Sequence, residues 1–458
     1  MKKGLVQIIL ANLMYLLLVA GNNFLLPQFT SVETYAAVKE YTLYISTYGT
    51  LLTFGYIHGM YLKYGGRELE TIEPSEIGSS VFSFFVMMLP ISVAVSVYGL
   101  RNNNEVIAVV GAGLLSTNLC QYYQMFYQAT GDFKSYGVAL NSSRVLVLTA
   151  NLLLIFVCKT DSKLLYVAVS PFIGICSAVY LTLKLNKKMR FLRQIRLRPG
   201  LLKSNICSGA VLMLGEFVTR FFTSIDRWFV KYLMSTFSFA MYSFAVSMEN
   251  MVNTFMTPIT VSMYNYFCKK PELEMIRQMK DVTLIYSMVI IAGAFPWKWI
   301  LEIFMRDYLQ SVSVLYLLFA AQGISAIIRG IYVNKYKAES AQRKYLRQML
   351  CMLVLAVCLN AVFYGIWKNM EAIAAATLIT NLIWLILCEI QNPELRYDNK
   401  TILAAVILLA VYFITGYQMN AIIGAVVYCM IGLALGMILM PKRFIFVFQT
   451  ILSSIRRK

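Results

Sequence analysis

Apolar residues in this chain come in long runs broken by short polar turns. They show neither the alternation of a half-buried strand nor the single stripe of a soluble helix. Many runs reach the roughly 20 residues that a helix needs to cross a hydrocarbon core of about 30 Å. The pattern predicts an all-α polytopic membrane protein of about fourteen spans: 5–26, 38–62, 77–99, 105–128, 137–158, 164–184, 206–230, 236–267, 282–301, 309–333, 347–367, 371–390, 401–416 and 420–440. No connection is long enough to hold a soluble domain; the longest is KLNKKMRFLRQIRLRPGLLK, 184–203.

Composition agrees with the pattern. Of 458 residues, 59% are hydrophobic and 14% charged, against about 25% charged in soluble domains. With the N-terminus placed in the cytoplasm, 29 of the 41 Lys and Arg fall on the cytoplasmic side, nine outside and three (Arg144, Arg220, Arg329) within spans. That asymmetry predicts both termini inside. It also explains the net charge of +19 as a basic face toward anionic lipids, so no nucleic-acid partner is expected. The signal-like start MKKGLVQIILANLMYLLLVAG precedes thirteen further spans and reads as an uncleaved first helix. The nine cysteines all fall in spans or at their ends, with no CxxC, so neither a disulfide framework nor a metal site is expected.

The chain reads as two halves. The expected division is a six-helix bundle over 1–185, a basic linker over 186–203, a second six-helix bundle over 204–392, and two additional helices with a basic interfacial tail over 393–458. The segments YQATGDFKSYG and YVNKYKAESAQRKY, after the fourth and tenth spans, are weakly alike, as internal repeats in transporters are.

Ionisable groups within spans cost about 2.5–3.5 kcal/mol each on insertion scales, so they normally face a protein interior or a wet cavity. Glu216 and Arg220 are four apart on one face, in the favourable order for a pair. Glu249, in the next span, is expected at a similar depth, so the three can meet between adjacent helices. Arg144 is too deep to reach water easily and is assigned to a cavity, whereas Arg329, near a span end, can snorkel and is read as structural. His58, the chain's one histidine, lies in GYIHGMYLKYGG; it reads first as a hydrogen-bonded packing residue and stands with Glu216 and Glu249 among the coupling or ion-pair candidates. Asn118, Gln121 and Gln128 share one face of the fourth span, an uncharged stripe that either lines a cavity or binds another helix. No catalytic constellation, phosphate-binding loop or large outer loop is present, so the chain is not expected to be an enzyme.

The stretch SIDRWFVKYLMSTFSFAMYSFAVSM, 224–248, resembles the bacterial polysaccharide flippases, whose superfamily (MOP) also holds MATE multidrug exporters and lipid II flippases. The matching residues are Asp226-Arg227 and Met241-Tyr242-Ser243-Phe244-Ala245, with Ala240 where glycine is usual; GYIHGMYLKYGG is similar to that family's second span. The resemblance implies two six-helix bundles in a V plus two extra C-terminal helices, rocking to expose a central cavity to each side of the bacterial cytoplasmic membrane in turn. The implied cargo is an undecaprenyl-diphosphate-linked oligosaccharide. Arg220, Arg144, Gln121, Gln128 and Asn118 are then the substrate-binding candidates, and Asp226, Arg227 and Arg329 gate or structural residues. No cofactor is implied beyond coupling to H⁺ or Na⁺, and the partners implied are membrane lipids and a glycan polymerase, with the chain itself a monomer. The alternative is a MATE-like exporter of organic cations; the first span has Asn12, Asn22 and Asn23 but no carboxylate, which counts against it.

Overall fold

A computed structural model describes residues 2–269, 272–339, 341–439 and 441. The regular elements among them are all helical. Packing divides the chain into two compact units, Met1–Ser224 and Ile225–Lys458.

The first unit holds α1 (Lys2–Phe29), α2 (Val32–Leu51), α3 (Tyr56–Tyr64), α4 (Pro74–Arg101), α5 (Glu105–Ala129), α6 (Phe133–Phe156), α7 (Lys163–Met189) and α8 (Pro199–Phe222). Local chemistry fixes the starts. The side chains of Ser31, Asn104 and Asp132 accept from the backbone amides of Thr34, Ile107 and Ser135, while Pro74 and Pro199 open α4 and α8.

Helices in lipid lack a hydrophobic reason to associate, so they meet through small and polar residues. Asn141 on α6 donates to the Ala11 carbonyl on α1 at 2.9 Å, and Asn151 to Asn22 at 2.6 Å. Gly111 sits against Ser96, and Gly174 against Ser116, which lets α5 lie close to α4 and α7. Tyr56, Phe84, Tyr122 and Phe126 stack in the core, with successive ring centroids 5.2, 5.4 and 6.4 Å apart.

The expected second span, 38–62, is not one helix. The chain turns between α2 and α3, with Phe54 at φ 50° and Gly55 at φ 85°, a left-handed pair that glycine adopts without steric cost and phenylalanine does not. Just beyond, α3 crosses α8 backbone to backbone: a Cβ on Gly59 would fall inside the carbonyl of Asn205, and one on Gly209 inside that of Gly55.

The second unit holds α9 (Ile225–Leu233), α10 (Thr236–Phe267), α11 (Leu273–Ala292), α12 (Ala294–Phe304), α13 (Val312–Ile327), α14 (Asn334–Ala338), α15 (Gln342–Trp367), α16 (Met370–Gln391), α17 (Asn399–Gln418) and α18 (Ala421–Leu439). A π-helical turn, Ile328–Val333, joins α13 to α14. The last two helices dock within this unit: Tyr412 donates to the Tyr316 carbonyl, Tyr428 to that of Met288, and the Lys298 ammonium caps the end of α17 at the Gly416 and Met419 carbonyls. The tail expected to lie on the membrane surface, 444–458, is outside the described residues.

Among the described residues, twelve of the fourteen expected spans correspond to helices long and apolar enough to cross a membrane, and the chain is a multi-pass membrane protein whose described regular elements are all helical. The other two are the broken α2–α3 pair and α10. The seventh span ends sooner than 230: α8 stops at Phe222, where the Ser224 hydroxyl donates to the Arg220 and Phe221 carbonyls, and α9 begins as a separate helix.

Candidate functional site

Inside the first unit lies a cavity of about 630 Å³ whose wall is shared by α1, α2, α5, α6, α7 and α8. The uncharged lining is largely amide and hydroxyl. Gln121 and Gln124 reach it from α5, Asn12 and Tyr15 from α1, Ser46 from α2 and Ser170 from α7. Helical spacing explains the α5 contribution, because 117, 121 and 124 fall on one face. Asn118 is also on the wall but 1% exposed, and its amide donates to the Gly49 carbonyl at 3.2 Å, tying α5 to α2.

Three charged side chains line the cavity: Arg144, Glu216 and Arg220. Glu216 and Arg220 form the expected pair on α8, with Glu216 Oε1 taking Arg220 Nε at 2.8 Å and Nη2 at 2.5 Å. The other carboxylate oxygen, Oε2, lies 2.7 Å from His58 Nε2 on α3. The second partner of Glu216 is therefore His58, which stood beside it among the coupling or ion-pair candidates. The histidine is a buried hydrogen-bond partner of Glu216 rather than a packing residue alone. Arg144, on α6, is exposed to the cavity and rests over the Tyr15 ring, 5.6 Å from its centroid. Among the described residues no carboxylate pairs with it.

The remaining candidates lie elsewhere. Gln128 is exposed on the last turn of α5, away from the cavity wall. Asp226, Arg227, Glu249 and Arg329 belong to the second unit. Asp226 is buried and accepts from the Tyr242 hydroxyl at 2.8 Å and from the Arg227 amide at 2.7 Å, fastening α9 to α10. Arg329 sits half-buried in the π-helical turn with Asn253 at 3.5 Å, and Glu249 is within electrostatic range of it. Among the described residues no group of three or more His, Cys, Asp or Glu is placed to hold a metal ion.

Tyr15 and Gln124 were not singled out from sequence as site residues. Gln124 lies three residues beyond Gln121, one helical turn along α5, but outside the face assigned to Asn118, Gln121 and Gln128. Tyr15 carried no signal, since its role depends on α1 pairing with α6.

No protein-family model matches the sequence, and no curated protein matches it. Solved structures do match. The lipid II flippase MurJ, in an inward closed conformation, aligns over 96% of this chain and 99% of its own, with a TM-score of 0.56 at 13% identity. An inward-facing MATE multidrug resistance transporter of the MOP superfamily aligns over 88% and 95%, again with 0.56 and 13%. The MATE multidrug transporter DinF-BH aligns over 85% and 93%, with 0.53 and 14%. This chain has the fold of the MOP transporters. At such identities the likeness is one of fold, and a fold can carry several cargoes. The polar cavity lies wholly within the first of the two units.

Proposed function

We propose that this protein is a flippase that moves a lipid-linked oligosaccharide across the bacterial cytoplasmic membrane by alternating access, for surface polysaccharide assembly, with both termini cytoplasmic. The cargo class is a polyprenyl diphosphate sugar, undecaprenyl-linked. One observation carries the reading. Arg144 presents a guanidinium to the cavity, and among the described residues no carboxylate pairs with it. An unpaired cation at that depth is costly unless an anion answers it, and a guanidinium fork matches phosphate oxygens. The amides and hydroxyls of Gln121, Gln124, Asn12 and Ser46 supply the donors and acceptors that sugar hydroxyls need. A cation exporter of the MATE kind shares the fold, but the one carboxylate on this wall, Glu216, is already taken from both sides. The reading assigns the chain no enzymatic activity and takes a glycan polymerase as its downstream partner.

The test is to deplete the protein from cells and ask which membrane face holds the lipid-linked oligosaccharide, using a glycosidase that cannot cross the membrane. Glycan that becomes reachable only after permeabilisation supports the flippase. Normal outward glycan, together with altered resistance to cationic dyes, overturns it in favour of the exporter.

A further inference from the structure

Glu216 is shared between a permanent cation and a titratable base. Because Arg220 holds one carboxylate oxygen through two N–H groups, Glu216 is an acceptor, and the His58 nitrogen facing the other oxygen must be its donor. The Nε2 proton is therefore fixed in either charge state, and the proton that comes and goes belongs to Nδ1. That atom is buried and has no hydrogen-bond partner.

We infer that His58 is a proton-binding site which sets, through Glu216, how much of the Arg220 charge the cavity presents to an anionic cargo. The inference rests on the proposed reading of the cavity as an anion site. With His58 neutral, Glu216 and Arg220 cancel. When Nδ1 takes a proton from water, two cations share one carboxylate, the cluster gains one positive charge, and Arg220 is freer to bind phosphate. By linkage, cargo bound at Arg220 raises the proton affinity of His58 by the same factor. His58 acts here as a positioning and charge-setting residue and does not itself touch the cargo.

The backbone makes the response electrostatic. His58 sits next to Gly59, whose crossing against Asn205 leaves α3 no room to shift toward α8. Other titratable groups on the packed elements do not compete. On α3 itself, Lys63 pairs with Glu76, the Tyr56 hydroxyl donates to Ser80, the Tyr64 ring packs edge-on against Phe126, and Tyr61 completes the helix. On α5, Tyr122 donates to Ser80 and Tyr123 bonds Thr182, while Glu105 faces Lys163 at the start of that helix. Cys120 and Tyr127 complete α5, and on α8 Lys203 and Cys207 are exposed, off the buried Asn205–Gly209 face that meets α3. Glu216 and Arg220 are the charged groups in contact with the ring or one bond removed from it.

The experiment uses the full-length purified protein and farnesyl-diphospho-N-acetylglucosamine, a diphosphate diester whose own charge does not change near neutrality. Binding is titrated from about pH 5.5 to 8.5, the range in which a histidine changes charge. Wild type is expected to bind about five- to tenfold tighter at the acid end, a normal size for coupling between sites. His58→Gln keeps the donor to Glu216 but cannot be protonated, so it is expected to hold the weaker affinity at every pH. Glu216→Gln is expected to hold the tighter one at every pH. In wild type alone, calorimetry in two buffers of different ionisation heat should show proton uptake on binding, which keeps the question open to test if a variant misfolds. The same pH profile in wild type and His58→Gln, or no proton uptake, overturns the switch while leaving the anion reading intact. No binding by wild type at any pH overturns both.

Discussion

The guanidinium of Arg144, on α6, lies 5.6 Å over the ring of Tyr15, on α1. A ring face beside an arginine without a carboxylate orients the charge and lowers its energy without neutralising it, which suits a group waiting for an anion. Tyr15→Leu is expected to weaken binding of a polyprenyl diphosphate sugar by about 0.5–1 kcal/mol, the scale of an exposed cation–π contact. Arg144→Ala is expected to cost more, and Arg144→Lys an intermediate amount, because an ammonium lacks the fork. A titration of the three variants checks the order; Arg144→Ala binding like wild type would sink it.

The α3–α8 crossing makes a sharper demand. Gly59→Ala and Gly209→Ala each push a methyl into backbone that belongs to the other helix or its approach, and overpacking of this kind costs about 1–3 kcal/mol. Gly215, on the same α8, has open space around it, and alanine there is expected to be neutral or stabilising by up to about 1 kcal/mol. Thermal unfolding in detergent separates the two classes. Equal midpoints for all three variants would contradict the crossing.

In the second unit, Lys280 is 1% exposed and its ammonium contacts Glu389, the Leu395 carbonyl and the Tyr397 ring, 3.4 Å from its centroid. The Tyr332 hydroxyl and Tyr397 amide complete the shell of Glu389. Breaking such a pair from one side leaves a buried charge and costs about 3–5 kcal/mol. Lys280→Met is therefore expected to lower the unfolding midpoint sharply. Lys280→Met with Glu389→Leu should recover much of the loss, and failure to recover would locate the stability in the tyrosines instead.

Asp132 lies in the turn between α5 and α6. Burial pushes its carboxyl up, but the Lys188 hydrogen bond and the Ser135 amide outweigh it, and the net effect holds it below the usual aspartate value. A depressed folded value means a contribution to stability that is present above the ordinary range and lost as pH falls through the folded value. The unfolding midpoint is expected to drop on acidification below about pH 4. Asp132→Asn keeps the helix cap and removes only the charge, so it should lose under about 1 kcal/mol at neutral pH and flatten the acid limb. An unchanged acid limb would assign the sensitivity to other carboxylates.

How much of this was legible in the sequence follows from what each feature requires. A bilayer imposes span length directly, so the twelve apolar helices stood out, as did the Glu216–Arg220 pair, four residues apart on one face. The break at Phe54–Gly55 did not, because the apolar run continues across it and the turn is a matter of two dihedral angles. The His58–Glu216 contact joins residues 158 apart; its one local trace was the glycines at 55, 59 and 209, which announce a close approach without naming the partner. Arg144 was placed in a cavity by depth alone, while its seat on Tyr15 required knowing that Asn141 bonds to α1.

Where α3 meets α8, main chain touches main chain, so neither helix can slide or roll past the other without expelling its neighbour. The two behave as one strut. A rearrangement that widened or closed the cavity wall would carry Glu216, Arg220 and His58 along together, and two successive left-handed residues, Phe54 and Gly55, already form a joint between α2 and that strut.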